Sequence, residues 1–328
     1  MFNNLINIHD LTRLIDRINQ SESRLILSKL IRFRGLERVK RSWAHVDTYP
    51  KNWWEIPAVR ERWNLMIAGD RKIDYQEYIG RRYLIDRTPL KGLSIGCGTG
   101  SLLFRWLDLL QFETVDAYDL SSARIDYARK EARDKGLERI INFMVADIRK
   151  VELRSDYYDM VIAEGVLHHL SPLKETLSRL RDAMRPDGYL VINEFVGPKR
   201  FQWTDDQIGE VNRLLSIIPE RYRVKWRDGS IKSRVFRPGR LSMILNDPSE
   251  AVESSAILPL LHREFDVVEV KGFGGNILHL LFAGIAHNFL SQDAETEKIL
   301  NLCFEAEDAF LARGDVRSDF VIGIFRKR

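Results

Sequence analysis

The chain has 328 residues, of which 45% are hydrophobic and 30% charged, and a formal net charge of +4. That is enough chain and apolar content for one large domain with additions, its core needing no covalent staples. It excludes a disordered polyelectrolyte, and so mild a charge gives no argument for nucleic-acid binding. Cys97 and Cys303 form neither a disulfide framework nor a zinc set, so a cytoplasmic location is expected. No basic segment precedes an apolar run at the first residues, so no signal peptide is expected. No apolar stretch reaches bilayer length.

Residues 1–88 read as a helical extension. Leu5, Ile8, Leu11, Leu14, Ile15 and Ile18 recur near the helical period. Between Arg24 and Arg41, basic residues alternate with Leu25, Ile26, Leu30, Ile31 and Phe33. Such a helix either contacts a membrane surface or acidic partner, or packs with a solvated basic face. Asp47–Trp54 breaks the pattern; a second helix starts near Pro57, a suitable first-turn residue. A third carries Tyr75, Tyr78 and Tyr83, and its first two tyrosines either close over a ligand or pack in the core.

Residues 89–328 read differently. Strand patterns at Gly92–Ile95, Thr114–Tyr118, Ile140–Val145, Tyr158–Ala163 and Tyr189–Val196 alternate with helical patterns at Leu102–Leu110, Ser122–Lys135 and Leu173–Met184. Gly136 is a C-cap candidate, and Pro186-Asp187-Gly188 reads as a turn. The alternation predicts an α/β fold with a mostly parallel, doubly wound sheet. An insertion is expected over about residues 197–262, with helices at Asp205–Ile218 and Pro248–His262 around a basic stretch from Arg221 to Arg240. That stretch either holds an anionic ligand or is solvated surface. Strand patterns return at Asp266–Val270 and Phe320–Phe325; between them Gly272–Asn276 is a mobile loop over a pocket or simply a turn.

The richest signal is Gly96-Cys97-Gly98-Thr99-Gly100 at a strand end. Glycines there let the backbone turn sharply and approach a ligand, and the helix that follows presents free amides. A dinucleotide loop has G-x-G-x-x-G spacing, but here Ser101 stands at the third glycine position. The spacing suits the amino-acid end of S-adenosylmethionine instead. Asp119 ends the next strand, about 20 residues on, where an acid can accept from both ribose hydroxyls. Its alternative role is to cap the following helix. Asp147 ends the third strand, placed for the adenine amine, with Leu120 or Ile148 against the ring face.

Together with Asp159–Leu170 and Arg185–Leu190, these pieces resemble class I S-adenosylmethionine-dependent methyltransferases over residues 89–196. The resemblance implies a Rossmann-like sheet of seven strands with the last one antiparallel, and S-adenosylmethionine as cofactor. The flanks Asn52–Pro57 and Arg200–Asp205 resemble methyltransferases of bacterial glycan and secondary-metabolite settings, which implies a small-molecule or glycan acceptor methylated on oxygen or nitrogen. The fourth strand brings Glu164, His168 and His169 to the expected methyl position. An imidazole titrates near neutrality, so His168 and His169 are candidate bases, His168 foremost. The competing role for the pair is structural or in cofactor packing. No Asn/Asp-Pro-Pro-aromatic motif follows the fourth strand, which argues against adenine-N6 or glutamine methylation. His262, His279 and His287 lack metal-ligand spacing, and no metal is expected. An RNA methyltransferase, or a silent protein that keeps only the fold, are the alternatives. Oligomeric state is not legible.

Overall fold

The computed structural model describes residues 52–314 and 317–328, except the side chains of residues 245 and 246. The helices expected over Leu5–Ile18 and Arg24–Arg41, and with them the choice between a membrane or acidic partner and a solvated basic face, lie outside the described residues.

Seven strands form one sheet: β1 Leu90–Ile95, β2 Phe112–Asp119, β3 Ile141–Val145, β4 Tyr158–Glu164, β5 Met184–Phe195, β6 Phe265–Gly272 and β7 Phe320–Lys327. Their order is β3-β2-β1-β4-β5-β7-β6, and β7 runs antiparallel to both its neighbours. Side chains alternate between faces along each strand. On β4, Met160 and Ile162 join one apolar cluster while Val161 and Ala163 join the other; on β5, Tyr189 and Val191 oppose Leu190 and Ile192. Both faces are covered, and so the central strands read as unbroken apolar runs.

Helices α1 Pro57–Ala68, α2 Tyr75–Ile79, α3 Ser101–Leu109 and α4 Ser122–Asp134 precede β3 in the chain. Val59, Ile67, Leu103, Trp106, Ile125 and Ala128 bury one sheet face. The opposite face is covered by α5 Leu173–Ala183 and, further along the chain, α8 Ile257–Glu264, through Leu173, Leu177, Leu180, Ile257 and Leu261. Within the insertion lie α6 Asp205–Ile217, opened by a Thr204–Gln207 capping box, and α7 Arg240–Asn246. Between β6 and β7 come α9 Leu278–Phe282 and α10 Ala294–Leu311.

Two details differ from the sequence expectations. The Pro186-Asp187-Gly188 turn lies inside β5, whose pairing jumps from Tyr158↔Met184 to Met160↔Tyr189. The helix expected over Pro248–His262 begins only at Ile257, and the insertion holds a further helix, α7, that the sequence pattern did not suggest. Asp247 Oδ1 accepts the Ser249 amide at 2.9 Å and its hydroxyl at 2.6 Å, local bonds that compete with a helix there. Among the described residues no helix is long and apolar enough to cross a membrane.

Candidate functional site

After β1 the chain turns through three left-handed glycines, Gly96 (φ 61°), Gly98 (φ 56°) and Gly100 (φ 81°). Side chains other than hydrogen disfavour this region. A β-carbon on Gly96 would sit 2.4 Å from Val166 Cγ2, so the β1 loop lies hard against the turn after β4. Gly96→Ala is therefore expected to cost about 2–4 kcal/mol, as backbone strain and overpacking add. Urea unfolding would show it as a lower midpoint with an unchanged slope.

The Asp119 carboxylate reaches back into this loop. Its Oδ2 accepts the Gly98 amide at 2.9 Å and its Oδ1 the Ser121 amide at 2.8 Å. The Cys97 amide donates to Tyr118 O at 3.0 Å, which locks the loop to the β2 end. A carboxylate here can also accept from hydroxyls, so the cradle fits the ribose of a nucleoside. Burial, and then the Asp119 charge, push the Cys97 thiol up, leaving it inert as a nucleophile.

The β3 end lies beside the β2 end, with the Ala146 amide 3.0 Å from Asp119 O. Asp147 is gripped by its neighbour Arg149, whose Nε and Nη2 both donate at 2.8 Å. These bonds hold the Asp147 carboxyl below the usual range. Leu120 is half-buried. Ile148 is buried in the apolar cluster that also holds Tyr118, Leu167 and Leu170.

At the β4 end, Glu164 Oε1 accepts from Tyr75 OH at 2.7 Å and from Trp106 Nε1 at 3.1 Å. Burial pushes its carboxyl up to about 7. Tyr75 thus joins α2 to the site, whereas Tyr78 turns away to Glu269 on β6 at 3.0 Å. Beyond Glu164 the chain turns at Gly165, and the Val166 and Leu167 amides donate to Glu194 Oε1 at 2.6 and 2.5 Å. Glu194 Oε2 lies 2.7 Å from His168 Nδ1. A carboxylate only accepts, so Nδ1 carries a proton and, in the neutral imidazole, Nε2 carries the lone pair. That Nε2 is 3.7 Å from Glu250 Oε1.

His169 is set in the same way by a relay. Its Nδ1 is 3.2 Å from Ser249 Oγ, and the one hydroxyl proton goes to Asp247. Ser249 must then accept from Nδ1–H, and Nε2 again carries the lone pair. The two rings lie 4.1 Å apart between centroids. Burial opposes charge on His168, but Glu194, Glu250 and Asp247 outweigh it and raise the imidazole. Burial, and then His168, hold His169 well below its ordinary value.

The insertion turn is clamped onto this corner. The Val252 amide donates to His168 O at 3.0 Å, and the Arg200 amide to Ala251 O at 2.7 Å. Arg200, Phe201 and Ala251 all have positive φ without being glycine. Such strain persists only where surrounding contacts over-determine it. Sequence reasoning missed Glu194, Asp247, Ser249 and Glu250. The Asn193-Glu194 pair at the end of an apolar strand was a usable signal; the other three had none.

Part of the basic stretch is structural. The buried Lys232 ammonium donates to the carbonyls of Leu280, Leu281 and Ala283, capping α9, and Arg237 donates to Trp203 O at 2.6 Å. The Gly272–Asn276 segment is a pinned turn, with the Gly275 amide bound to Glu307 Oε1 at 3.0 Å. Nearby, Asp319 accepts from Gln207 Nε2 at 3.0 Å, and burial pushes its carboxyl up to about 7. The folded state then keeps a proton that the unfolded chain releases near pH 4, so this stabilisation is lost as pH rises from about 4 to about 7. Wild type minus Asp319→Asn should show that decline, at up to about 1.4 kcal/mol per pH unit, in urea unfolding across this range.

Comparison with known proteins agrees with this geometry. Residues 93–190 match the methyltransferase domain family. A malonyl-[acyl-carrier protein] O-methyltransferase of Halalkalibacterium halodurans is 33% identical over 136 residues, 40% of this chain and 49% of that protein. A highly reducing polyketide synthase of Alternaria alternata is 34% identical over 113 residues, 33% of this chain and 4% of that protein. A Haemonchus contortus phosphoethanolamine N-methyltransferase, solved with S-adenosylhomocysteine, aligns over 77% of this chain and 52% of its own, at 15% identity and TM-score 0.47. The chain spans about half the length, 49%, of the first two curated relatives it matches. The sheet order, the glycine loop and the family match together place residues 93–190 in a class I S-adenosylmethionine-dependent methyltransferase domain with S-adenosylmethionine as its cofactor.

Proposed function

We propose that this protein transfers a methyl group from S-adenosylmethionine to an oxygen or nitrogen atom of a small-molecule or glycan acceptor. The observation that carries the reading is the Asp119 carboxylate, which faces into a glycine loop that itself presses on the turn bearing His168 and His169. Gly96, Cys97, Gly98 and Gly100 would hold the amino-acid end of the cofactor, Asp119 the ribose hydroxyls, and Leu120, Asp147 and Ile148 the adenine side. When bound, the sulfonium supplies an electrophilic methyl carbon for in-line displacement. The chain's own contribution is alignment and exclusion of water, with Tyr75 over Glu164 and the insertion turn over His168. A hydroxyl acceptor must also lose a proton, and the Nε2 lone pairs of the two imidazoles and the Glu164 carboxyl lie at this corner. A neutral amine needs only to be held.

Glu164, Glu194, Asp247 and Glu250 make the corner acidic, with Arg200 as a counter-charge. That balance favours a hydroxyl or amine over a carboxylate acceptor. Peripheral membrane contact through Arg24–Arg41, and a cytoplasmic setting, belong to the same proposal and rest on charge pattern and composition. Tritiated methyl transfer into fractionated cell extract tests the reading. Label is expected in small-molecule or glycan fractions; label only in RNA or protein would overturn it.

A further inference from the structure

We infer that His168, His169 and Glu250 bind a divalent transition-metal cation. Binding rests on the geometry and charge of the corner; the cation's role rests on the methyl-transfer reading above. One nitrogen of each imidazole and one Glu250 oxygen lie within 4.8 Å of one another. Shifts of roughly an ångström would bring all three to the usual zinc–ligand distances of about 2.0–2.2 Å.

The surroundings are those of a ligand set. Metal-binding histidines donate their other N–H to a carboxylate, a carbonyl or water, which fixes the tautomer and the ring. Both histidines do so here, His168 to the fully buried Glu194 and His169 through Ser249 to Asp247. The tautomer that a metal requires is thus fixed twice, by different residues. Charge points the same way. Glu194, Glu250 and Asp247 act on His168; Arg200 is within electrostatic reach of Asp247 and Glu250, and Arg124 of His169 and Asp119. A dication relieves the excess of carboxylates. Glu250 itself is delivered by a turn whose neighbours Arg200 and Ala251 are held in left-handed backbone.

Two imidazoles and one carboxylate suit zinc, manganese, iron, cobalt or nickel better than magnesium or calcium, which favour all-oxygen sets. Three protein ligands leave a coordination position open. An acceptor hydroxyl placed there would lose its proton to solvent more readily, as metal-bound water does, with no change in oxidation state. This replaces an imidazole base with a Lewis acid held by imidazoles.

Titration of the metal-stripped full chain with Co²⁺, followed by visible absorption and calorimetry, tests the site. One Co²⁺ per chain is expected, displaced by Zn²⁺. His169→Ala and Glu250→Gln should each weaken binding at least about tenfold, and Glu194→Gln about tenfold through lost orientation. Glu250→Gln, a near-isosteric change on a half-buried turn, keeps the test valid if the core variant Glu194→Gln does not fold. Absence of stoichiometric Co²⁺ binding to the wild type, or equal binding by folded His169→Ala and Glu250→Gln, would overturn the site. Methyl transfer about tenfold faster with Zn²⁺ than without would support the role; equal rates would overturn that role and leave the methyl-transfer reading standing. Metal binding with no transfer in either state would instead overturn the methyl-transfer reading and leave the site.

Discussion

Asp119→Ala should weaken S-adenosylmethionine binding by about two orders of magnitude, about 3 kcal/mol, while His168→Ala changes it by no more than a few-fold. The asymmetry follows from partners. The Asp119 carboxylate holds the Gly98 and Ser121 amides at 2.9 and 2.8 Å and faces the loop where ribose hydroxyls would sit. Its removal forfeits charge-assisted bonds to the ligand, each worth about 1.5–3 kcal/mol, and releases the loop that shapes the site. His168 spends its contacts on Glu194 and Glu250, away from the loop. Its loss should appear in turnover, by about a hundredfold or more, as expected for a group that activates the acceptor. Calorimetry on both variants checks the affinities. A harmless Asp119→Ala beside a His168→Ala that abolishes binding would mean the ribose lies elsewhere.

Glu307→Ala should give the largest loss of stability, about 3–5 kcal/mol in urea unfolding. Glu307 is fully buried on α10, and its Oε1 accepts the amides of Gly275, Ile277 and Leu278 at 3.0, 3.0 and 3.1 Å. Its Oε2 lies 3.6 Å from Arg62 Nη2. Alanine would leave three buried donors unsatisfied at the start of α9 and remove one of the two carboxylates beside Arg62, which Asp308 would still hold. Glu307→Gln keeps one acceptor oxygen and should recover roughly half of the loss. The turn after β6 is built around this side chain so closely that a β-carbon on Gly274 would meet Glu307 Oε2 at 2.3 Å.

What the sequence discloses follows the distance over which each feature is encoded. The strands flanking the site were legible because β4 holds a short apolar run and β1, β2 and β4 all end in turn residues, signals within a few positions. The Gly96–Gly100 loop and Asp119 were legible for the same reason: spacing and strand position carry their meaning. The expected helix start at Pro248 failed because Asp247 bonds Ser249 and holds the chain in a turn. Asp247 and Glu250 have a role only once β4, β5 and the insertion meet, and no local pattern ties them to His168 and His169. Glu307 is the same case: an acid in an amphipathic helix reads as solvated until the turn after β6 docks on it.

A crystal structure with S-adenosylhomocysteine tests the central claim most directly. The amino-acid end should lie against Gly96–Gly100, the ribose hydroxyls on Asp119 and the thioether sulfur facing the turn that carries His168 and His169. A nucleoside bound anywhere else, or a glycine loop left bare at saturating ligand, would contradict that claim.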